Sequence, residues 1–363
     1  MRKRIIITIL VVALAGVLGA MYLAARSNDG RTTDSTPSPA ATSPSNTPGI
    51  TTIAKNLKAP WSIAFYGDTA WISLRDSGQI LEYNRDNGST RVVGTVAGAV
   101  RRGEGGLQGL AVDKQKRLYA YYTTATDNRI SRFTLSGQPG NLSLGLAETI
   151  IQGLPSSQIH NGGRIAFGPD DLLYVTVGDA GVTSNSQNRA SLGGKILRLT
   201  PDGGVPADNP FPNSPVYSYG HRNPQGLAWG EDGTMYATEF GQNTWDELNV
   251  IKPGANYGWP NVEGIAGRNG YVDPVQQWAP STASPSGMAY ANGNLYIANL
   301  RGAVLRNVPV NNLGTSQDRF KGEYGRLRDV AVAPDGRLWL LTNNTDGRGR
   351  PAADDDRIIS LPN

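Results

Sequence analysis

The sequence predicts an all-β fold, a six-bladed β-propeller that follows an N-terminal hydrophobic segment. Three observations support this prediction. A β-hairpin pattern recurs six times along the chain, and glycine and proline are abundant, with 45 and 23 among 363 residues. No long amphipathic helix is evident beyond the N-terminus. Because many short strands joined by tight turns require many turn residues, this composition favours strands over long helices.

The recurring pattern is an apolar strand, a polar turn containing Asp or Gly, and a second strand rich in Leu, Tyr, Trp, Val and Thr. The six copies are Ile63–Leu74, Leu110–Thr123, Ile165–Val177, Leu227–Glu239, Met288–Leu300 and Val330–Thr342. A period of roughly fifty residues is typical of propeller blades and argues against unrelated hairpins in a sandwich. We expect the last strand, near Ile358–Leu361, to pair with the start of the domain and close the ring.

The N-terminal region indicates export. Residues 1–4 are basic after the initial Met, and an uncharged apolar run extends from Ile5 to Ala25. Residues 1–26 therefore fit either a signal peptide or, since the run approaches the length of a bilayer span, an uncleaved membrane anchor. Residues 27–50 are rich in Ser, Thr and Pro and predict a disordered linker. We expect residues 51–363 to form the propeller outside the cytoplasm, in the periplasm or the extracellular space.

Charge and cysteine content exclude several function classes. Of the formal net charge of +4, residues 1–50 contribute +3, so the rest of the chain carries no broad basic field for nucleic acid. The absence of cysteine excludes a disulfide framework, a thiolate nucleophile and a cysteine zinc site. Walker A, Gly-x-Ser-x-Gly and His-Glu-x-x-His motifs are also absent from the sequence.

The chain contains two histidines, His160 and His221, each in a glycine-rich loop just before a predicted hairpin. In a propeller, a loop that leads into the innermost strand of a blade opens onto the central channel. A neutral imidazole at that position can act as a general base near neutral pH. The alternative is a histidine that only hydrogen-bonds its own loop, and the neighbouring residues favour the catalytic interpretation for His160.

Arginines and oxygen-rich residues complete the candidate site. Arg222, Arg301, Arg326 and Arg328 lie on predicted loops or strand starts, and the propeller would bring them to the channel mouth. Convergent guanidinium groups suit a multiply anionic planar ligand, although each could be an ordinary surface arginine. Residues 238–249 are dense in oxygen ligands of the kind that calcium prefers, a weak signal because acidic turns are common.

Six blocks of sequence, in this order, resemble the soluble glucose/sorbosone (aldose sugar) dehydrogenases that depend on pyrroloquinoline quinone (PQQ). They are GEGGLQGLAVD (103–113), HNGGRIAFGPDDLLYVTVGDAG (160–181), GGKILRLTPDGGVPADNPF (193–211), YGHRNPQGLAW (219–229), EFGQNTWDELNVIKPGANYGWP (239–260) and RLRDVAVAPDG (326–336). The resemblance extends from about Leu57 to the C-terminus. It implies a six-bladed propeller that oxidises an aldose at C1 to the lactone with PQQ and Ca²⁺ and passes the electrons to an external acceptor.

The resemblance also implies roles for individual residues around the cofactor. His160 takes the place of the catalytic histidine that removes the proton of the anomeric hydroxyl. Arg222 corresponds to the arginine that stabilises negative charge developing on the quinone oxygens, and Asn223 lies beside it in the cofactor pocket. Arg326 and Arg328 match the arginine pair along PQQ and its carboxylates.

Two calcium sites are implied in the same way. Gly241 and Gln242 match the positions whose backbone carbonyls hold the cofactor-bound calcium, which acts as a Lewis acid on the quinone. Glu247 and the carbonyl of Tyr257 resemble ligands of a second, structural calcium.

The sequence departs from the family pattern at the cofactor site. Arg301 stands where family members carry Lys, and Glu104 stands where Gln is expected near the quinone. A carboxylate at that position is expected to repel the carboxylates of PQQ or alter its potential. Ile159 replaces an acidic residue that some members carry before the histidine, so another group must orient the imidazole. Gln242 replaces Pro, which leaves its carbonyl able to bind calcium.

Two other functions remain open from the sequence. One is a calcium-dependent propeller hydrolase such as a lactonase, which would use acidic side-chain ligands and is disfavoured by the arginines. The other is a non-catalytic binding propeller that has lost its cofactor, an interpretation that Glu104 and Ile159 keep open.

Overall fold

The computed structural model describes residues 48–85 and 87–363, which form six four-stranded antiparallel sheets, the blades of a β-propeller. The expected N-terminal segment at 1–26 and most of the expected linker at 27–50 lie outside the described residues. No helix within the described part of the chain is long and apolar enough to cross a membrane. The predicted fold class, an all-β six-bladed propeller, is confirmed.

Each blade is built from strands that follow one another in the chain, except that the sixth blade takes its outermost strand from the start of the domain. The first three blades are β2 (Pro60–Tyr66), β3 (Thr69–Leu74), β4 (Gln79–Tyr83), β5 (Thr90–Thr95); β6 (Leu107–Val112), β7 (Leu118–Thr123), β8 (Asn128–Ser136), β9 (Ser143–Leu154); and β10 (Ile165–Phe167), β11 (Leu173–Val177), β12 (Lys195–Leu199), β13 (Val216–Tyr219). The last three are β14 (Pro224–Trp229), β15 (Met235–Glu239), β16 (Asp246–Ile251), β17 (Gln276–Trp278); β18 (Pro285–Ala291), β19 (Asn294–Asn299), β20 (Val304–Pro309), β21 (Gln317–Arg319); and β22 (Leu327–Val332), β23 (Leu338–Thr342), β24 (Ile358–Leu361), β1 (Thr51–Ala54). The described helices are short: α1 (Ser184–Gln187) and the 3₁₀ turns Pro280–Thr282 and Val310–Asn312.

The ring closes as the sequence predicted. Strand β24 pairs antiparallel with β1, with Thr51 opposite Ser360 and Thr52 opposite Ile359. The six predicted hairpins are the first and second strands of the six blades. The third and fourth strands, which carry weaker sequence patterns, complete each sheet.

The hydrophobic core is divided into six clusters, one at each interface between neighbouring blades. At the closing interface between the sixth and first blades, the ring of Trp339 packs edge-on against Phe65 and Tyr83, at centroid distances of 5.2 and 5.3 Å. Inner strands are buried on both faces, as in β3 and β11, where every residue is buried. This two-sided burial explains why these segments are apolar runs with little alternation.

Strand direction determines where the loops meet. In a four-stranded antiparallel blade, the loop that enters the first strand and the loop that joins the second and third strands lie at the same end. Glu104, His160 and Arg222 are in loops of the first kind, and Asp179 and Gly241 are in loops of the second kind. All five therefore lie at one end of the propeller, while the turns between first and second strands lie at the opposite end.

Candidate active site

His160 is held in an unusual backbone conformation at this end of the propeller. Its φ of 56° is in the left-handed region, which a non-glycine residue occupies only when its surroundings impose it. Its N–H donates to Oε2 of Glu104 at 3.0 Å, and its carbonyl accepts from the N–H of Ala180 at 3.2 Å. The imidazole Nδ1 lies 2.7 Å from Oδ1 of Asp179, and 12% of the side chain is exposed.

Asp179 fixes the tautomer of His160. The carboxylate is fully buried and also accepts hydrogen bonds from the N–H of Gly181 at 2.7 Å and from Nε1 of Trp259 at 2.9 Å. Burial alone would raise the pKa of Asp179. The hydrogen bond and the charge of His160, together with the hydrogen bonds from Gly181 and Trp259, outweigh burial and hold the pKa below its usual value. An ionised carboxylate can only accept, so Nδ1 of His160 carries a proton, and in the neutral imidazole Nε2 has the lone pair of a base.

Arg222 lies against the same group of residues. Its guanidinium is 5.5 Å from the ring centroid of Trp259, and its carbonyl accepts from the N–H of Asp179 at 2.8 Å. Its Nη1 donates to the carbonyl of Phe240 at 3.2 Å, which places the cation beside the loop that contains Gly241. A base, its carboxylate partner and a partly buried cation are therefore contiguous at this site.

The cation and its neighbour have unused donors. Burial lowers the pKa of Arg222, while Asp179 and Glu104 oppose that shift. Among the described residues, Nε of Arg222 and Nδ2 of Asn223 are buried with no hydrogen-bond partner, although Oδ1 of Asn223 accepts from the N–H of Gly162 at 3.0 Å. Because buried donors are rarely left unsatisfied, these atoms fit an oxygen-rich, anionic ligand in the site.

Glu104 is paired with an arginine from another blade. Its Oε1 accepts from Nη1 of Arg348 at 3.0 Å, while Oε2 holds the backbone of His160. Burial would raise the pKa of Glu104, but the charges of Arg348 and His160 outweigh it and hold the pKa below its usual value. The carboxylate therefore does not face the site as an isolated negative charge.

The predicted arginine pair lies buried beside Asp346. Nη2 of Arg326 donates to Oδ2 of Asp346 at 3.2 Å, and Nη2 of Arg328 is 3.9 Å from the same oxygen. Arg328 also donates to Oε1 of Gln225 at 2.9 Å. Burial lowers the pKa of Arg328 to about 9, and nearby arginines add to this effect against the charge of Asp346. The fourth predicted arginine, Arg301, is partly buried in the turn after β19, at the same end of the propeller.

The Gly241–Gln242 backbone is shaped by carboxylates. The N–H of Gly241 donates to Oδ1 of Asp246 at 2.9 Å, and that of Gln242 donates to Oε1 of Glu263 at 2.8 Å. The carbonyls of Gly241 and Gln242 accept no hydrogen bond from any described residue. Two such oxygens fit a hard cation such as Ca²⁺. No group of three or more His, Cys, Asp or Glu side chains suited to a metal occurs among the described residues.

The residues of the second predicted calcium site are linked through a buried acidic pair. Burial and the neighbouring Glu239 raise the pKa of Glu247 to about 8. Glu239 in turn is 2.8 Å from Nδ1 of His221, whose ring stacks on Tyr257 at a centroid distance of 4.7 Å. The two carboxylates repel each other, and this repulsion is relieved by either a proton or a cation.

His221 has a structural role, which distinguishes it from His160. It is fully buried, and its second nitrogen, Nε2, lies 2.8 Å from Oγ of Ser218. Since both ring nitrogens are used within the protein, His221 has no atom available as a base. The sequence placed both histidines in similar loops and favoured His160 as the base from its neighbours.

Three residues of the site were not identified from the sequence: Asp179, Trp259 and Arg348. Asp179 lies two residues after β11, in a loop at the same end as His160, and that position was the available signal. Trp259 and Arg348 lie in irregular segments far from His160 in sequence. Their contacts depend on three-dimensional structure alone.

Comparisons with known proteins agree with this fold. The family model for glucose/sorbosone dehydrogenase matches residues 57–350. The structure of the PQQ-bound aldose sugar dehydrogenase from Streptomyces coelicolor is 48% identical, with a TM-score of 0.83 over 88% of this chain and 99% of that one. The aldose sugar dehydrogenase YliI of Escherichia coli is 31% identical over 83% of this chain and 91% of its own length.

Quinoprotein glucose dehydrogenase B of Acinetobacter calcoaceticus is 34% identical over 61% of this chain and 54% of its own length. The family match covers most of the propeller and includes the loops that contain His160, Asp179, Arg222 and Gly241. This chain belongs to the glucose/sorbosone dehydrogenase family, a family of oxidoreductases.

Proposed function

We propose that this protein oxidises an aldose sugar at C1 to the lactone with PQQ and Ca²⁺, and passes the electrons to an external acceptor. The observation that supports this most strongly is the hydrogen-bonded pair of His160 and Asp179 beside Arg222, whose Nε has no partner among the described residues. The pair supplies a base with a defined tautomer, and the cation supplies a place for negative charge. Oxidation of a hydroxyl-bearing carbon is accelerated by both, since a proton must leave the hydroxyl and negative charge develops on the acceptor.

The residues present fit the cofactor. Arg222, Asn223, Arg326 and Arg328 would hold PQQ through its quinone oxygens and carboxylates, since buried guanidinium and amide donors suit these groups. The carbonyls of Gly241 and Gln242 would hold the calcium next to it. When bound, PQQ supplies a two-electron acceptor for the hydride that leaves C1 of the sugar.

The side chains of this chain account for the accompanying proton and charge movements. Nε2 of His160 takes the proton of the anomeric hydroxyl, and the buried carboxylate of Asp179 stabilises the imidazolium that forms. Arg222 stabilises the negative charge that develops on the acceptor side of the site. The cation–π contact with the ring of Trp259, at 5.5 Å, stabilises this position of the guanidinium.

We further propose that the protein is exported and works in the periplasm or the extracellular space. The basic residues Arg2, Lys3 and Arg4 followed by an apolar run support this assignment. If the apolar run is not cleaved, it would tether the propeller to the membrane.

Within the folded domain, Glu247 and the carbonyl of Tyr257 would hold a second calcium.

The test is reconstitution of the purified protein with PQQ and Ca²⁺, each added alone and together, in the presence of an aldose panel and an artificial electron acceptor. We expect turnover only when both are present, with the lactone as first product. Hydrolysis of lactones without PQQ would instead identify a hydrolase. Failure to bind PQQ and to turn over any sugar would leave a non-catalytic binding propeller.

A further inference from the structure

Glu104 makes contacts that connect three blades, and the sequence did not predict them. It lies in the loop that enters the second blade, and its own N–H donates to the carbonyl of Gln158 at 2.9 Å. Its side chain accepts from the backbone of His160, at the entrance to the third blade, and from Arg348 in the sixth blade, both at 3.0 Å. One side chain therefore connects the histidine loop to a cation on the far side of the first blade.

The geometry points to a specific role for this connection. His160 needs its N–H and carbonyl held in place, because its left-handed φ of 56° is unfavourable for a residue with a Cβ. The N–H bond goes to a carboxylate oxygen, and hydrogen bonds to charged acceptors are stronger than those to neutral ones. Releasing that bond would let the backbone relax and draw Nδ1 away from Asp179.

Arg348 supports the carboxylate in this role. Its own N–H donates to Oδ1 of Asp346 at 2.8 Å, and Asp346 also accepts from Arg326. A continuous chain of polar contacts thus runs from the His160 backbone through Glu104, Arg348 and Asp346 to Arg326. The guanidinium of Arg348 balances the charge of Glu104 in a site that would otherwise present a carboxylate to an anionic cofactor.

We propose that Glu104 and Arg348 form a positioning pair for His160: Glu104 fixes the left-handed backbone of the base, and Arg348 neutralises and orients Glu104. Neither residue exchanges a proton with the substrate. The catalytic consequence of the pair rests on the function proposed above, whereas its effect on His160 is a property of the protein without cofactor.

The test uses hydrogen exchange, measured by nuclear magnetic resonance on cofactor-free protein with ¹⁵N-labelled histidine. The chain has two histidines, and each has an Nδ1 bonded to a carboxylate, so His221 serves as an internal reference. In Glu104→Ala we expect the backbone N–H and the Nδ1–H of His160 to exchange about tenfold faster or more, while His221 is unchanged.

Two further variants separate positioning from general loss of structure. Glu104→Gln retains an oxygen that can accept from the His160 N–H, so exchange at His160 should stay slow. Arg348→Met should speed exchange at His160, as Glu104→Ala does. Lys114→Met is the matched control, because it removes an exposed 2.7 Å ion pair with Asp171 that also joins two blades, at the opposite end of the propeller. It should change neither histidine.

With PQQ, Ca²⁺ and sugar present, Glu104→Ala should lower kcat while leaving KM for the sugar nearly unchanged, and Glu104→Gln should recover most of kcat. Exchange of His160 that is equally slow in wild type and Glu104→Ala would overturn the positioning role. Absence of turnover in every protein, with the exchange differences intact, would instead count against the proposed function alone.

Discussion

Replacement of Asp179 by Asn tests the base and its partner. The side chain accepts three hydrogen bonds, from His160, Gly181 and Trp259, and is fully buried. Asn has one acceptor oxygen in place of two. One of its two orientations places an amide N–H against Nε1 of Trp259. The other orientation places the amide N–H against Nδ1 of His160. Nδ1 must then accept, so the imidazole proton moves to Nε2 and the base is lost.

The expected loss of rate follows from the charge that forms on His160. A unit charge pair about 4 Å apart near a protein surface is worth about 4 kcal/mol. At about 1.4 kcal/mol per tenfold in rate, Asp179→Asn should lower kcat by about 10³-fold. The free energy of unfolding should fall by about 1–3 kcal/mol, since a buried donor is left unsatisfied.

The assay compares kcat at saturating PQQ and Ca²⁺, together with PQQ affinity of the cofactor-free protein. Asp113→Asn is the matched control, because Asp113 is also buried and accepts from the N–H and Nε of Arg117 and from Tyr119, at 2.8, 2.6 and 3.1 Å. It lies in the turn between β6 and β7, at the opposite end of the blade. It should cost stability and leave kcat unchanged. A kcat for Asp179→Asn within a few-fold of wild type would refute the assigned role.

Three further outcomes are expected. Arg164→Met should lower the free energy of unfolding by about 3–5 kcal/mol in denaturant titrations, because the buried Asp329, 3.0 Å from Arg164, loses its cation; an unchanged unfolding midpoint would contradict this. Arg222→Lys should weaken PQQ binding about tenfold or more, measured by titration of cofactor-free protein, because an ammonium cannot reproduce the guanidinium fork or its contact with the ring of Trp259. Equal affinity would count against Arg222 as a PQQ contact. Because the folded-state pKa of Asp179 is depressed, its stabilising effect is present above the unfolded carboxyl pKa of about 4 and is lost as the pH falls through the folded value. The thermal unfolding midpoint of Asp179→Asn should therefore depend less on pH in this acid range than that of wild type. An identical pH dependence of the two proteins would refute the linkage.

The sequence predicted the propeller because its strongest pattern, an apolar hairpin with a polar turn, forms the inner half of every blade. The outer strands do not show that pattern, since β5 has no buried residue and β9 is largely exposed. Closure by Ile358–Leu361 was predictable because a ring leaves one blade short of a strand, and β1 supplies it.

The site was predictable only in part. His160 and Arg222 stand in loops that a propeller must bring to one end, so their proximity follows from topology. The contact of His160 with Asp179 joins two loops of the third blade, and the ion pair of Glu104 with Arg348 joins different blades. Both depend on side-chain positions that the sequence pattern does not give. The sequence left open whether Glu104 would face the cofactor as a free charge, and the structure shows it bonded to Arg348 and to the His160 backbone.

The most direct test of His160 as the base is the rate at which sugar reduces PQQ bound to the His160→Gln protein, followed by stopped-flow absorbance in the absence of an external acceptor. Gln retains much of the volume of the imidazole and provides no base of comparable strength. We expect PQQ and Ca²⁺ to bind as in wild type while reduction slows by about 10²-fold or more, the contribution expected of a positioned base. Reduction at the wild-type rate would show that His160 is not the base, and the mechanism proposed here would be wrong.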